Sequence, residues 1–273
     1  MNFIRCFIFM LVLILVISFP VMAQGTVSII DTPTAVTLAR NHYFLNFRFY
    51  HRGGLLIQGA AGLSEKLTVG ASYGGTGIIG SENIKGNPEP TFSLKYQLGE
   101  EGKNLPFALA IGYDGQGFGE CYQEGEEVEI QGKLKTMKRS FYQINSKGFY
   151  LVASKNLENL HLSFHGGLNT SLEDDPGKAD VSFFLAVEFD ATSKLNVKIE
   201  YNNGFHEEVK WEDVVEDPGD LEGVMRKAGG ELNIGFEIKY TPQLIMELDF
   251  KDLSHRYTEA GNRIFQIIYA GEF

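Results

Sequence analysis

The most regular feature of the chain is an alternation of apolar and polar residues with a period of two. In Lys194 to Asn202, Leu195, Val197, Ile199 and Tyr201 alternate with Asn196, Lys198, Glu200 and Asn202. Successive side chains of an extended strand point to opposite faces, so this segment has one oily face and one charged face. The same division runs through Thr91 to Leu98, Gly230 to Tyr240 and Leu244 to Lys251. The pattern predicts twelve strands, at 42–50, 55–62, 67–74, 91–98, 106–114, 147–155, 160–168, 181–190, 194–202, 230–240, 243–251 and 263–273.

The connections alternate as well. SEK, GEEGKNL, NLEN, ATS and TPQ are short, and they take turns with long stretches at 75–90, 115–146, 169–180, 203–229 and 252–262; HRGG is the one exception. Tight turns on one side and long loops on the other predict an all-β fold, a transmembrane antiparallel up-and-down β-barrel of about 12 strands. An even strand number closes such a sheet and brings both chain ends to the turn side. Upward strands end their oily faces on Phe49, Tyr73, Tyr113, Tyr201 and Phe250, downward ones on Tyr96, Phe189, Tyr240 and Phe273. These form two aromatic girdles at the level of the two lipid interfaces. A secreted β-sandwich could bury the same alternating residues between two sheets. Strand length and the need to protect open edges favour the barrel.

The amino terminus supplies an address. Arg5, the apolar run Phe7 to Phe19 and the small residues of Val21-Met22-Ala23 have the form of a secretory signal, cleaved after residue 23. The expected organisation is a signal peptide at 1–23, a periplasmic segment at 24–41 and a single barrel domain at 42–273, in the bacterial outer membrane. Losing Arg5 makes the mature chain one unit more negative than the −11 of the whole sequence, which excludes a nucleic-acid partner. Cys6 leaves with the signal, so Cys121 has neither a disulfide partner nor a metal-ligand spacing around it. No motif calls for a cofactor or a metal.

The carboxyl-terminal RIFQIIYAGEF places Phe265, Ile267, Tyr269 and Phe273 on one face. It resembles the β-signal read by the barrel-assembly machinery, which joins outer-membrane lipid and lipopolysaccharide as an expected partner. IDTPTA at 30–35, HRGGLL at 51–56, NPEPTFSLKYQL at 87–98, PFALAIGYD at 106–114 and SKGFYLVASK at 146–155 resemble the YjbH-like outer-membrane proteins. That resemblance implies an outer-membrane location and a link to exopolysaccharide.

Other motifs carry less. GTGIIG at 75–80 matches a dinucleotide-loop spacing, but Gly86, Pro88 and Pro90 prevent the helix that would bind a pyrophosphate. His161, Ser163 and His165 share the polar face of one strand, and their expected role is hydrogen bonding within the lumen. The lumen candidates are Arg48, Gln58, Lys95, Asp114, His161, His165, Glu188, Lys198, Glu200, Glu237, Lys239, Glu247 and Asp249. With both signs present, they either pair across the lumen and plug it or line a narrow selective passage. Residues 206–227 hold eight acids against three bases, a solvated acidic loop, and 115–146 turns from acidic to basic around Gln131-Gly132, a hairpin above the rim or a plug in the mouth. The functional expectation is a non-enzymatic outer-membrane protein: a narrow porin-like channel, or an accessory to surface-polysaccharide export. The partner would be a polysaccharide or a small solute. The alternatives are a barrel-embedded hydrolase of lipid or peptide using His161, Ser163 and Glu200, and a purely structural plugged barrel.

Overall fold

The computed structural model describes residues 27–273, apart from 82, 104, 174–180, 205–207, 220 and 256–262. The expected signal peptide therefore lies outside the described residues. The twelve alternating segments form twelve antiparallel strands: β1 His42–Tyr50, β2 Gly54–Ser64, β3 Leu67–Thr76, β4 Thr91–Gly99, β5 Ala108–Asp114, β6 Gly148–Leu157, β7 Leu162–Thr170, β8 Ser182–Asp190, β9 Leu195–Asn202, β10 Glu231–Lys239, β11 Leu244–Phe250 and β12 Arg263–Glu272. Each pairs with its neighbour in sequence, and β12 returns to β1 in continuous register from His42 opposite Glu272 to Phe49 opposite Phe265. The sheet is thus closed and leaves no edge unpaired.

The sorting of side chains is the reverse of a soluble protein. Phe92, Leu94, Phe149, Leu168 and Leu185 stand on the outside, and Phe92 is 68% exposed. Inside are Lys198, Glu200, Asn233, Glu247 and Asp249, none more than 1% exposed. At the loop end of the outer face, aromatic rings pair across adjacent strands: Phe49 with Phe265 at 6.1 Å, Tyr113 with Phe149 at 5.0 Å and Phe183 with Tyr201 at 6.0 Å. At the turn end Tyr43 stacks on Phe273 at 5.8 Å, across the seam that closes the sheet.

The long loops build a cap of their own. Strands Phe118–Tyr122 and Phe141–Ile144 pair, and Glu127–Ile130 pairs with Lys133–Thr136 as a hairpin around Gln131-Gly132. Val209–Lys210, a single helical turn at Trp211–Val214 and Val224–Arg226 come from the acidic loop. The two loops share one apolar cluster of Ile130, Met137, Phe141, Val209, Trp211, Val214, Val215 and Met225. The acidic loop is therefore folded against its neighbour, with Lys138 N donating to Val214 O and Lys135 Nζ to Asp217 O. GTGIIG closes over the first hairpin through Gly77 N to Arg52 O and Ile79 N to Gly53 O, and the described residues between it and β4 form no helix.

Candidate functional site

The segment expected to lie in the periplasm instead occupies the lumen over its described part. Residues 27–34 form a tight hairpin: Ile29 N donates to Thr32 O at 2.9 Å, Thr34 N to Val27 O at 3.2 Å, and Ser28 faces Pro33 in an antiparallel bridge. Ile-Asp-Thr-Pro is turn chemistry, with an Asp able to bond nearby backbone and a Pro to end the turn. Residues 35–41 then run back to the turn end, where Asn41 N meets Gly62 O at 3.1 Å and β1 begins. Gly62 is required there: a Cβ would lie 2.0 Å from Ala39 O.

Apolar contacts seat the hairpin in a mould of small inward residues. Ala35 is fully buried among Ala108, Ala110, Tyr150, Val152 and Phe184. Ile29 and Ile30 pack on Ala186, and Gly235 leaves the space in which a Cβ would meet Ile30 Cδ1 at 3.2 Å. The backbone groups of the segment find wall side chains as partners, as buried polar groups must. Ala35 N donates to Ser154 Oγ and Leu38 N to Thr68 Oγ1, each at 2.8 Å, while Lys95 Nζ donates to Val27 O at 2.6 Å and Val36 O at 3.1 Å.

At the tip, charges are exchanged in both directions. Glu200 Oε2 accepts the N–H groups of Ile30 at 3.2 Å, Asp31 at 2.9 Å and Thr32 at 3.0 Å, together with Thr32 Oγ1 at 2.9 Å. Its other oxygen accepts Asn233 Nδ2 at 2.9 Å. The Asp31 carboxylate bridges two wall cations, Oδ1 to Arg48 Nη2 and Oδ2 to Lys251 Nζ. Burial alone would raise the Asp31 carboxyl, but the Arg48 and Lys251 charges outweigh it and hold the group well below the ordinary carboxylate range. From the loop end, Phe118 lies over both cations, 4.2 Å from Arg48 Cζ and 4.8 Å from Lys251 Nζ. Its ring also contacts Tyr50 at 4.7 Å. The hairpin thus enters the lumen from the turn end, and the Phe118 segment lies over its tip from the loop end. A cavity of about 160 Å³ lies beside the hairpin toward the turn end, lined by Tyr43, Lys198, Glu237 and Glu247 among others. Another of about 70 Å³ lies toward the loop end, lined by Arg48, Asp114, Lys147 and Phe118. Both have room for water.

The remaining sequence candidates distribute around this core. Lys198 Nζ pairs with Glu247 at 2.7 Å and Glu237 at 2.8 Å. Asp249 accepts Gln266 Nε2 at 2.7 Å. His165 Nδ1 meets Ser154 Oγ at 2.8 Å, and its Nε2 lies 3.7 Å from Glu188. Gln58 Oε1 accepts Asn46 Nδ2 at 3.3 Å, and Asp114 holds Gln116 N at 3.0 Å. Lys239 sits half-exposed at the turn end, 3.7 Å from Asp190. His161 departs from the expectation: it is exposed in the turn before β7 with a left-handed φ of 54°, so the alternation no longer applies to it. Ser163 donates to Asn156 at 3.5 Å and Glu200 is engaged by the hairpin, so the three residues considered for hydrolysis do not assemble. Phe265 and Phe273 are exposed on the outer face, and Ile267 and Tyr269 are half-buried. Sequence reasoning missed Asp31, Lys251, Glu231 and Phe118, although Asp31 lies within the IDTPTA stretch.

No family model matches the chain, so the resemblance to YjbH-like proteins has no such support, and no curated protein is similar to it. Among solved structures it is similar to a KdgM porin, at 6% identity over 85% of this chain and 99% of that one with a TM-score of 0.43. It is also similar to an outer membrane channel of Pseudomonas putida F1, at 11% identity over 94% and 100% with a TM-score of 0.42. A third is the outer membrane protein Omp33 of Acinetobacter baumannii, at 10% identity over 86% and 99% with a TM-score of 0.40. Likenesses this distant lend the chain neither a solute nor an activity.

Proposed function

We propose that the protein is a channel of the bacterial outer membrane, shut at rest by its own amino-terminal hairpin. The membrane assignment is supported by the inverted sorting of side chains. A continuous apolar outer face far exceeds what a soluble monomer leaves uncovered, and a closed sheet is one of the two structures that satisfy every backbone group in hydrocarbon. The observation that carries the gating reading is the docking of residues 27–38 in the lumen, held there by packing, hydrogen bonds and ion pairs and anchored at its tip by Glu200, Arg48 and Lys251. Withdrawing the hairpin empties a polar passage up to the Phe118 segment, whose hold on Arg48 and Lys251 weakens as water reaches the two cations. Lys95, which holds two hairpin carbonyls, and Ser154 and Thr68, which hold two amides, would then line it. Cleavage of residues 1–23 would leave the hairpin close to the new amino terminus and free to move toward the periplasm.

The test is planar-bilayer conductance of the mature chain beside one lacking residues 27–36. The full chain is expected to be closed with brief openings, and the shortened chain to conduct continuously. Silence from a shortened chain that has folded as a barrel would defeat the proposal and favour a structural role.

A further inference from the structure

We propose that Arg48, Lys251 and Glu200 form a binding station for small solutes that carry an ammonium and a carboxylate two carbons apart, and that Asp31 is its built-in occupant. The inference deepens the channel reading and rests on it for its physiological meaning. The observation is that one residue touches both poles of the site. The Asp31 backbone nitrogen lies 2.9 Å from Glu200 Oε2, while the two oxygens of its side chain go to separate cations, Arg48 and Lys251. The atoms between those contacts are N, Cα, Cβ and the carboxyl carbon, the skeleton of a β-amino acid. Glu200 is an acceptor that carries full charge, so an ammonium replaces the hairpin N–H groups with a stronger, charge-assisted bond.

Withdrawal of the hairpin takes a partner from both cations, although Lys251 keeps Glu231 at 3.4 Å. Arg48 and Lys251 are 7% and 2% exposed at the side chain, and a buried charge that loses its partner is costly. Chloride could neutralise one cation, but a carboxylate spans both, as the bridging Asp31 does. The Phe118 ring over the two cations closes the site on one side and leaves it open toward the turn end. A zwitterion also matches the pole arrangement without adding net charge to a lumen already crowded with acids. The solute and the hairpin tip would then compete for one station, so a solute of the right shape holds its own path open.

The experiment uses the full mature chain carrying Thr34→Cys, whose position is fully buried while the hairpin is docked. Labelling by a membrane-impermeant maleimide is read with β-alanine, with propionate and propylamine supplied together, and with sodium chloride. A ligand that binds only the withdrawn state raises that state's population about tenfold at ten times its dissociation constant. β-Alanine is expected to accelerate labelling by that order, and the separate ions by less than about twofold at the same concentrations. In a Glu200→Gln background the advantage of β-alanine over propionate disappears, even though the hairpin itself is looser. Equal acceleration by β-alanine and by the separate ions, or none by either, overturns the station. Conductance is read separately: a β-alanine response in a chain that never conducts upholds the station and defeats the channel, and conduction without that response does the opposite.

Discussion

Replacing Asp31 by Ala tests the lock directly. The carboxylate is 9% exposed and its two cations are more buried still. Removing one member of a buried ion pair costs about 3–5 kcal/mol, because the other charge is left without its partner. Lys251 keeps Glu231 at 3.4 Å, which places the loss at the lower end of that range, about 3 kcal/mol. The docked hairpin loses this and the withdrawn one does not, so the ratio of withdrawn to docked forms rises about 100-fold. Thr34→Cys again reports withdrawal, and its labelling rate follows the withdrawn population as long as redocking is faster than reaction. The native Cys121 contributes little background, since burial pushes its thiol up to about 11 and the thiolate is the reactive form. A labelling rate within about threefold of the parent, in a chain that still folds as a barrel, would refute the argument that this ion bridge holds the hairpin.

Three further outcomes follow from the same geometry. Gly235→Val adds and removes no charge but drives a side chain into Ile30, whose Cδ1 lies 3.2 Å from the position of a Cβ, and displaces Asp249 Oδ1, 2.6 Å from it; open probability should rise, measured in planar bilayers. Because Asp31 is held below its ordinary value, its contribution to docking is complete above the unfolded pKa and is lost only as pH falls through the depressed one. The difference in open probability between the parent and an Asp31→Asn chain should therefore stay constant from about pH 8 to 5, and a change in that difference near pH 5 would contradict the assignment. Trp211→Ala removes the largest ring of the cap cluster and should cost about 3–5 kcal/mol locally. Limited proteolysis should then cut within 115–146 and 203–229 while the barrel band survives.

Sequence alone revealed the barrel because a closed sheet in lipid imposes one rule on every strand, outward apolar and inward polar, and that rule repeats from β1 to β12. Its reach ends where strands end. His161 follows Leu160 in an apparent alternation, yet a left-handed turn at that residue takes it out of the pattern. The hairpin was harder. Asp-Thr-Pro signals a turn, and Ala108, Ala110, Ala186 and Gly235 are smaller than lumen-filling residues need to be. Each was visible, but linking the mould to the segment that fills it takes a contact between residues more than 70 positions apart. Alternation also assigns faces without assigning partners. Lys198 and Glu200 stand two residues apart on one strand, and the first is committed to Glu237 and Glu247 while the second grips the hairpin.

The hairpin and the Phe118 segment are not independent. Arg48 and Lys251 receive Asp31 from one side and the Phe118 ring from the other. The attraction of a cation for a ring grows as the cation is desolvated and weakens as water reaches it. Docking of the hairpin excludes water from the cations and so strengthens the hold on Phe118; the ring in turn keeps water from the ion bridge and strengthens the hold on Asp31. Phe118 belongs to the strand that pairs with Phe141–Ile144 and enters the cap through that pairing. A displacement of the cap that moves Phe118 is therefore expected to reach the hairpin through the two shared cations. Thermodynamic coupling of this kind is reciprocal, so whatever withdraws the hairpin from below loosens the cap above by the same free energy.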